Sequence, residues 1–313
     1  MTLRLFFATD IHGSDKCWMK FINAAEFYKI KTMVLGGDLT AKGFISILHQ
    51  PDGTYKTTFR GKQYAAKEGP ELDELEKRIR WTGLYTYRTP PEKLKDFQTE
   101  EGTRKLMLQL AKESLERWMK VGEERLRSSG AKVFVTGGND DEFEIDEILL
   151  NTKVVDYVEG RVVKLDEDHE MLSTGFGNQT PWHCPRDITE EELGNRIDKL
   201  ASQVKNMESC IFNIHVPPYD TRLDDAPKLD DNLQVEEGGM TMVPVGSKAV
   251  RQAIEKYQPL MSLHGHIHES KGRCKIGRTT CINPGSNYQN GMLQAVILEV
   301  EPTRVKTYTP ITG

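Results

Sequence analysis

Apolar residues fall in short runs that each stop at a small or polar residue. "LRLFFAT" stops at Asp10, "TMVLGG" at Asp38, "AKVFVTGG" at Asn139, "SCIFNI" at His215, "PLMSL" at His264 and "TTCIN" at Pro284. Runs of this length, bounded by glycine or polar residues, read as buried strands that deliver a loop. Between them, amphipathic stretches predict helices over Asp15 to Tyr28, Gly102 to Leu126, Glu190 to Lys205 and Ser247 to Tyr257. Ser247 supplies the last with an N-cap. Strands alternating with helices place the chain in the α/β class.

Two regions break the alternation. Val154 to Thr174 reads as a run of short strands turning at Glu159-Gly160, and "LQAVILEVEPTRVKTYTP" reads as a hairpin. A second sheet follows, giving a four-layer α/β/β/α sandwich of two mixed sheets with helices outside, over a single domain of residues 1–313. Residues 41–100 form the other irregular region. There "TYKTTFRGKQYAA" has the pattern of a polar hairpin turning at Arg60-Gly61, and "GPELDELEKRIRW" that of a charged helix. This segment reads as an insertion near the strand ends. Its Lys56, Arg60 and Lys62 read as a solvated edge, with contact to a phosphate substrate as the alternative, and the acidic stretch from Tyr219 to Val243 reads as a solvated loop.

Composition narrows the function classes. A chain of 313 residues buries enough surface to dispense with disulfides. The five cysteines form no C-x-x-C pair, so reduced thiols and a cytoplasmic location are expected. The N-terminal run reads as a strand rather than a signal peptide, and no apolar stretch reaches the length of a membrane span. A formal charge of −5 argues against a general electrostatic grip on nucleic acid.

The residues at the strand ends carry the candidate chemistry. Asp10, His12, Asp38, Asn139, His215, His266 and His268 are all oxygen or imidazole donors, suited to Mn, Fe or Zn rather than to a thiolate site. In an extended segment, the spacing of Asp10 and His12, and of His266 and His268, turns both side chains of each pair to one side. One such pair is weak evidence for a metal. Seven compatible ligands in five segments of the same local kind are strong evidence.

The ordered set "TDIHG", "GGDLT", "GGNDD", "NIHVPP" and "HGHIH" resembles that of the calcineurin-like metallophosphoesterases, and "INPGS" after it fits as well. The resemblance spans Asp10 to His268 and implies two divalent or trivalent metal ions, with Mn or an Fe/Mn pair favoured. It implies that Asp10, His12 and His268 hold one ion, that Asn139, His215 and His266 hold the other, and that Asp38 bridges them. Two such cations, roughly 3.5–4 Å apart, acidify a bridging water and clamp phosphate oxygens. By the resemblance, such ions would supply a hydroxide for in-line attack on phosphorus, hydrolysing a small phosphoester, nucleotide-like among the candidates.

One position departs from the family pattern. Where the family carries a histidine after the motif asparagine, this chain has Asp140. An ionised carboxylate donates no proton and repels a phosphoryl group, so Asp140 serves only if its pKa is raised. Otherwise His264 or His183 supplies the proton, or turnover is confined to good leaving groups. His264 also reads as support for a ligand. A monoanionic diester is repelled less than a dianionic monoester, so diesters are expected as substrates. A nuclease of the same family and a degenerate protein-binding scaffold are the competing readings. In "TGFGNQTPWHCPRD", Asn178, Trp182 and Arg186 are the candidate substrate contacts, with Trp182 stacking on a base and Arg186 meeting phosphate.

Overall fold

The computed structural model describes residues 2–97 and 99–313, so residue 98 of the expected 41–100 insertion lies outside the described residues. Two six-stranded sheets dominate. The first runs in the order Arg304–Thr312, Gln294–Glu301, Leu3–Ala8, Thr32–Leu35, Lys132–Val135 and Asp156–Tyr157. The second runs Gly272–Ile276, Thr279–Asn283, Met261–Leu263, Ile211–Ile214, Glu170–Thr174 and Arg161–Lys164. Both are mixed: inner pairs such as Leu3–Ala8 with Thr32–Leu35 are parallel, and the C-terminal hairpin pairs antiparallel.

Side-chain alternation along each strand sorts the core into layers. Phe7, Val34 and Phe134 point to one side and meet Met171, Ile211, Met261 and Ile282 of the second sheet. Their neighbours Phe6, Met33 and Val133 point the other way, onto helices Asp15–Phe27 and Glu100–Leu126. On the far side of the second sheet, Leu172, Phe212 and Cys281 pack against helices Glu190–Ala201 and Lys248–Tyr257. Strands buried on both faces explain why the runs are continuously apolar rather than alternating. The helix starts follow local chemistry: Thr189 and Glu192 form a capping box, and the Ser247 hydroxyl accepts from the Val250 amide.

The inserted segment is larger than the expected hairpin and helix. Strands Lys62–Lys67, Thr54–Phe59, Phe44–His49 and Tyr85–Thr89 make a four-stranded sheet in that order. Helix Pro70–Arg80 closes over it, with Ile47, Phe59, Leu72, Leu75 and Ile79 as its core. The hairpin turns at Arg60-Gly61 as expected, both with positive φ. Phe44–His49 pairs in parallel with Tyr85–Thr89, and a partner so distant leaves no local sequence signal. The Tyr219 to Val243 stretch is also more ordered than a solvated loop: Asp225–Pro227 pairs with Met242–Pro244, and buried Asp224 accepts from the Asp220, Thr221 and Gly246 amides.

Candidate metal centre

The strand ends of both sheets converge, as parallel strands place their C-terminal loops on one rim. Three groups of side chains bring ligand atoms within 4.8 Å of one another: Asp10, His12 and His268; Asp38, His215 and His266; and His12, Asp38 and Asp140. Asn139 joins them, its Oδ1 lying 2.9 Å from His266 Nδ1. Its amide orientation is set by Nδ2, which donates to Asp187 Oδ1 at 3.1 Å. All seven residues singled out in the sequence therefore share one site.

The backbone is bent to make this possible. Asp10, His12, Asp38 and His266 all have positive φ, between 38° and 67°. Such left-handed backbone costs non-glycine residues of order 1–3 kcal/mol each and persists where the surroundings enforce it. Here the Asp10 amide donates to Gly37 O at 3.0 Å and the His12 amide to Asp38 O at 2.9 Å, tying the first two motifs together. Gly138 packs so closely that a Cβ there would overlap Asp38. Only glycine allows that approach.

The donor set fits a cation. His215 Nδ1 donates to Gly36 O at 2.9 Å, so the lone pair of Nε2 faces inward, where that buried atom has no hydrogen-bond partner. Its Nε2 and that of His12 each lie 3.4 Å from Asp38 Oδ2. His12 Nε2 and His268 Nε2 are 3.1 Å apart. Three imidazole nitrogens and a carboxylate aimed at a common region, with the outer nitrogens of His215 and His12 facing the Gly36 and Thr40 carbonyls, are the arrangement of metal-ligating histidines. Burial pushes Asp38 up to about 6; burial also opposes an imidazolium at His215, yet the facing Asp38 carboxylate pushes that ring up to about 10. His215 Nε2 and Asp38 Oδ2 thus both face the region where a cation would bind and offset the buried charge. His266, buried and beside His215, is pushed down to about 3.

Several residues of the site carry no motif signal. The Asp141 carboxylate accepts from the amides of Leu39, Thr40 and Gly138 and from the Thr40 hydroxyl at 2.6 Å, riveting the second motif to the third. Asn283 Nδ2 donates to Gly265 O and Ile267 O, holding the histidine loop. Tyr288 lies against the His12 and His268 rings, with centroids 4.7 and 5.7 Å away. Lys42 places its Nζ 2.6 Å from Asp140 Oδ2. A second acid after Asp140 and a lysine four residues beyond Asp38 are too common in sequences to be singled out.

The remaining expectations divide. Burial alone would push the Asp140 carboxyl up, but Lys42, His12 and Cys184 hold it well below the usual carboxylate range. The condition for a proton-donating Asp140 is therefore reversed. His264 is 0% exposed, and its Nδ1 faces Ile214 O and Val216 O at 2.9 and 3.0 Å. It braces the segment carrying His215 and does not reach a substrate, which corrects its assignment as a proton source. Arg186 is also 0% exposed: Nη2 pairs with Asp146 Oδ1 at 2.6 Å and Nε donates to Asp141 O at 2.8 Å. It anchors the loop from within rather than meeting phosphate. Asn178 is half-buried, and its Nδ2 donates to Val245 O at 3.4 Å. Trp182 is 63% exposed and, with His183 and Phe143, lines a cleft of about 860 Å³ that reaches Lys42 and Asp140.

No family model matches the sequence. An uncharacterized protein of Methanocaldococcus jannaschii is 35% identical over 156 residues, 49% of this chain. The match spans 63% of that relative, less than two thirds of its length. Among solved structures, TT1561 of Thermus thermophilus overlaps with a TM-score of 0.55 at 12% identity, over 100% of this chain and 99% of its own. That likeness shows a shared fold. A dimetal phosphatase from Danio rerio overlaps more loosely, with a TM-score of 0.45 at 9% identity over 99% of this chain and 98% of its own, too little to bear on the chemistry.

Proposed function

We propose that this chain, which has the fold of the calcineurin-like metallophosphoesterases, is a metal-dependent phosphoester hydrolase that favours diesters. The observation that carries the reading is the convergence of Asp10, His12 and His268 with Asp38, His215 and His266 on one rim, with Asn139 beside them. Cations bound there would acidify a water and withdraw charge from phosphoryl oxygens. We place manganese, or an iron–manganese pair, first, because the ligands are carboxylate, imidazole and amide oxygen. Two ions suit the two ligand groups that flank Asp38.

The chain's own residues supply the rest. Lys42 offers a cation beside the centre, where it neutralises Asp140 and meets a phosphate oxygen or the departing oxygen of the substrate. Asp140, held ionised, acts as a positioning residue for Lys42 and for the second motif, since its amide donates to Asp38 Oδ1 at 3.1 Å. With Asp140 held ionised and His264 enclosed, His183 on the cleft wall is the remaining candidate proton donor, and substrates with good leaving groups turn over best. The diester preference rests on the apolar walls beside Asp140, which suit a phosphate carrying organic groups. A small substrate, nucleotide-like in its aromatic part, suits the cleft better than a nucleic acid. Arg104, the other cation on the cleft wall, is bound to Glu142 and Glu144 and offers little to a polyanion. Its working location in the cell is read as the cytoplasm, from the five free cysteines.

The test is a metal analysis followed by a hydrolysis screen over mono-, di- and cyclic phosphoesters, with Asp38→Ala and His215→Ala as controls. Metal-dependent turnover that both substitutions abolish is the expected result. Absence of such turnover on every class, with metal bound, would sink the enzyme reading and favour a binding scaffold.

A further inference from the structure

The rim around Lys42 opens on two sides. On one side is the cleft of about 860 Å³ walled by Trp182, Phe143, Met107 and Pro185. Trp182 and Phe143 are 63% and 49% exposed there, a large apolar area left in water. On the other side, between the inserted sheet and Tyr288, lies a second cleft of about 390 Å³ lined by Ile45, Phe59, Leu84 and Arg60. Lys42 is common to both. The two sides differ in chemistry: the first presents aromatic faces, and the second carries an arginine and no carboxylate. Arg60 stacks on Phe59 and donates to Gln289 O, and among the described residues no carboxylate is paired with it. An exposed indole in one cleft and a guanidinium without a carboxylate partner in the other thus share one lysine.

The inserted sheet holds its side firmly. Arg80 Nε donates to Asp15 Oδ2 at 3.0 Å, and Ser14 Oγ donates to Trp81 O at 2.7 Å. A Cβ at Gly83 would overlap the His12 carbonyl and the Tyr288 ring, so the insertion rests directly on the metal loop. Its wall is a built part of the site.

We infer that the substrate is a phosphodiester with two unlike arms straddling Lys42: an aromatic ring stacked on Trp182, and an arm bearing a further anion that meets Arg60. This rests on the phosphoesterase reading and extends it to a substrate class. Stacking on an exposed aromatic tolerates any planar ring, whereas Arg60 selects for a charged group such as a second phosphate. A phosphomonoester fills only one of the two clefts.

The probes are the p-nitrophenyl ester of thymidine 5′-phosphate and the same ester carrying a 3′-phosphate, followed by release of p-nitrophenolate. Trp182→Ala is expected to raise KM about tenfold for both esters, with kcat little changed. Arg60→Ala is expected to raise KM about tenfold for the 3′-phosphorylated ester alone, as loss of one charge-assisted contact does. Quenching of tryptophan fluorescence by either ester in chelator-treated protein gives a readout free of turnover, and Trp182→Ala should abolish most of it. Equal KM and equal quenching in all three proteins overturns the inference, as does p-nitrophenyl phosphate matching the diesters in kcat/KM. In that last case metal-dependent phosphoester hydrolysis survives, while the preference for diesters falls with the inference. No hydrolysis of any phosphoester by the metal-loaded wild type overturns both.

Discussion

Lys42 Nζ lies 2.6 Å from Asp140 Oδ2, so the carboxylate standing where related motifs carry a histidine is paired with a cation four residues beyond Asp38. The pair is nearly neutral as a unit, which removes most of the repulsion that a lone carboxylate would exert on phosphate. Lys42→Met leaves Asp140 uncompensated. We expect kcat/KM for diesters to fall about 10- to 100-fold, with a larger loss for dianionic monoesters, and partial recovery in Lys42→Arg. Steady-state kinetics on matched p-nitrophenyl mono- and diesters check this; an equal loss on both would contradict the charge argument.

Gly138 tests the geometry around Asp38. Any Cβ there overlaps Asp38, which leaves no room without moving the carboxylate. Gly138→Ala should therefore lower bound metal and activity together while the protein stays folded. Metal analysis alongside circular dichroism decides it, and full metal retention would refute the packing account.

Metal should also stabilise the fold. Asp10 and Asp38 are both buried, with imidazoles as their main partners. A ligand present at about 1,000 times its Kd adds about 4 kcal/mol to the folded state. Manganese added to chelator-treated protein is expected to raise Tm, and His215→Ala to abolish the rise. A Tm indifferent to metal would count against the site.

Arg186 is a test of burial rather than catalysis. Its guanidinium is enclosed and pairs with Asp146, so Arg186→Met leaves Asp146 with the Tyr157 hydroxyl as its remaining side-chain partner. Breaking a fully buried pair costs about 3–5 kcal/mol, and the partly exposed Asp146 brings the expected loss below that range. Denaturant titration should show that loss, with the KM of the folded enzyme unchanged. A raised KM at unaltered stability would restore the substrate-contact reading.

Cys184 reports the charge on Asp140. Its Sγ lies 2.8 Å from Asp140 Oδ1, and burial together with that carboxylate pushes the thiol well above its usual range. A higher pKa means less thiolate at a fixed pH, and the thiolate is the species that is alkylated. Iodoacetamide at about pH 8 should label Cys184 slowly in the wild type and about tenfold faster in Asp140→Asn, a one-unit fall in pKa. Peptide mass spectrometry gives both rates; identical rates would mean that the carboxylate does not govern the thiol.

The residues that meet at the rim were legible because they repeat one local pattern. Each follows an apolar run, and each run is a strand buried on both faces, so strand, loop and donor type appear together in a short window. The insertion was half legible. The Arg60-Gly61 turn is written in adjacent residues, whereas the parallel pairing of Phe44–His49 with Tyr85–Thr89 depends on chain that returns after a helix. Arg186 and His264 read as functional because their residue types are functional; only packing shows that both are enclosed and bonded to backbone or to Asp146.

The sequence by itself determined the fold class and which polar residues meet at the strand ends. Strand periodicity and ligand chemistry are local, and a parallel sheet collects strand ends wherever the strands fall. Tertiary structure alone decided which charges meet. It paired Lys42 with Asp140, turned Arg186 inward, and set Trp182 and Arg60 on opposite sides of one rim. Those relations join residues from separate segments, and their energies depend on distance and burial, which no single segment of chain encodes.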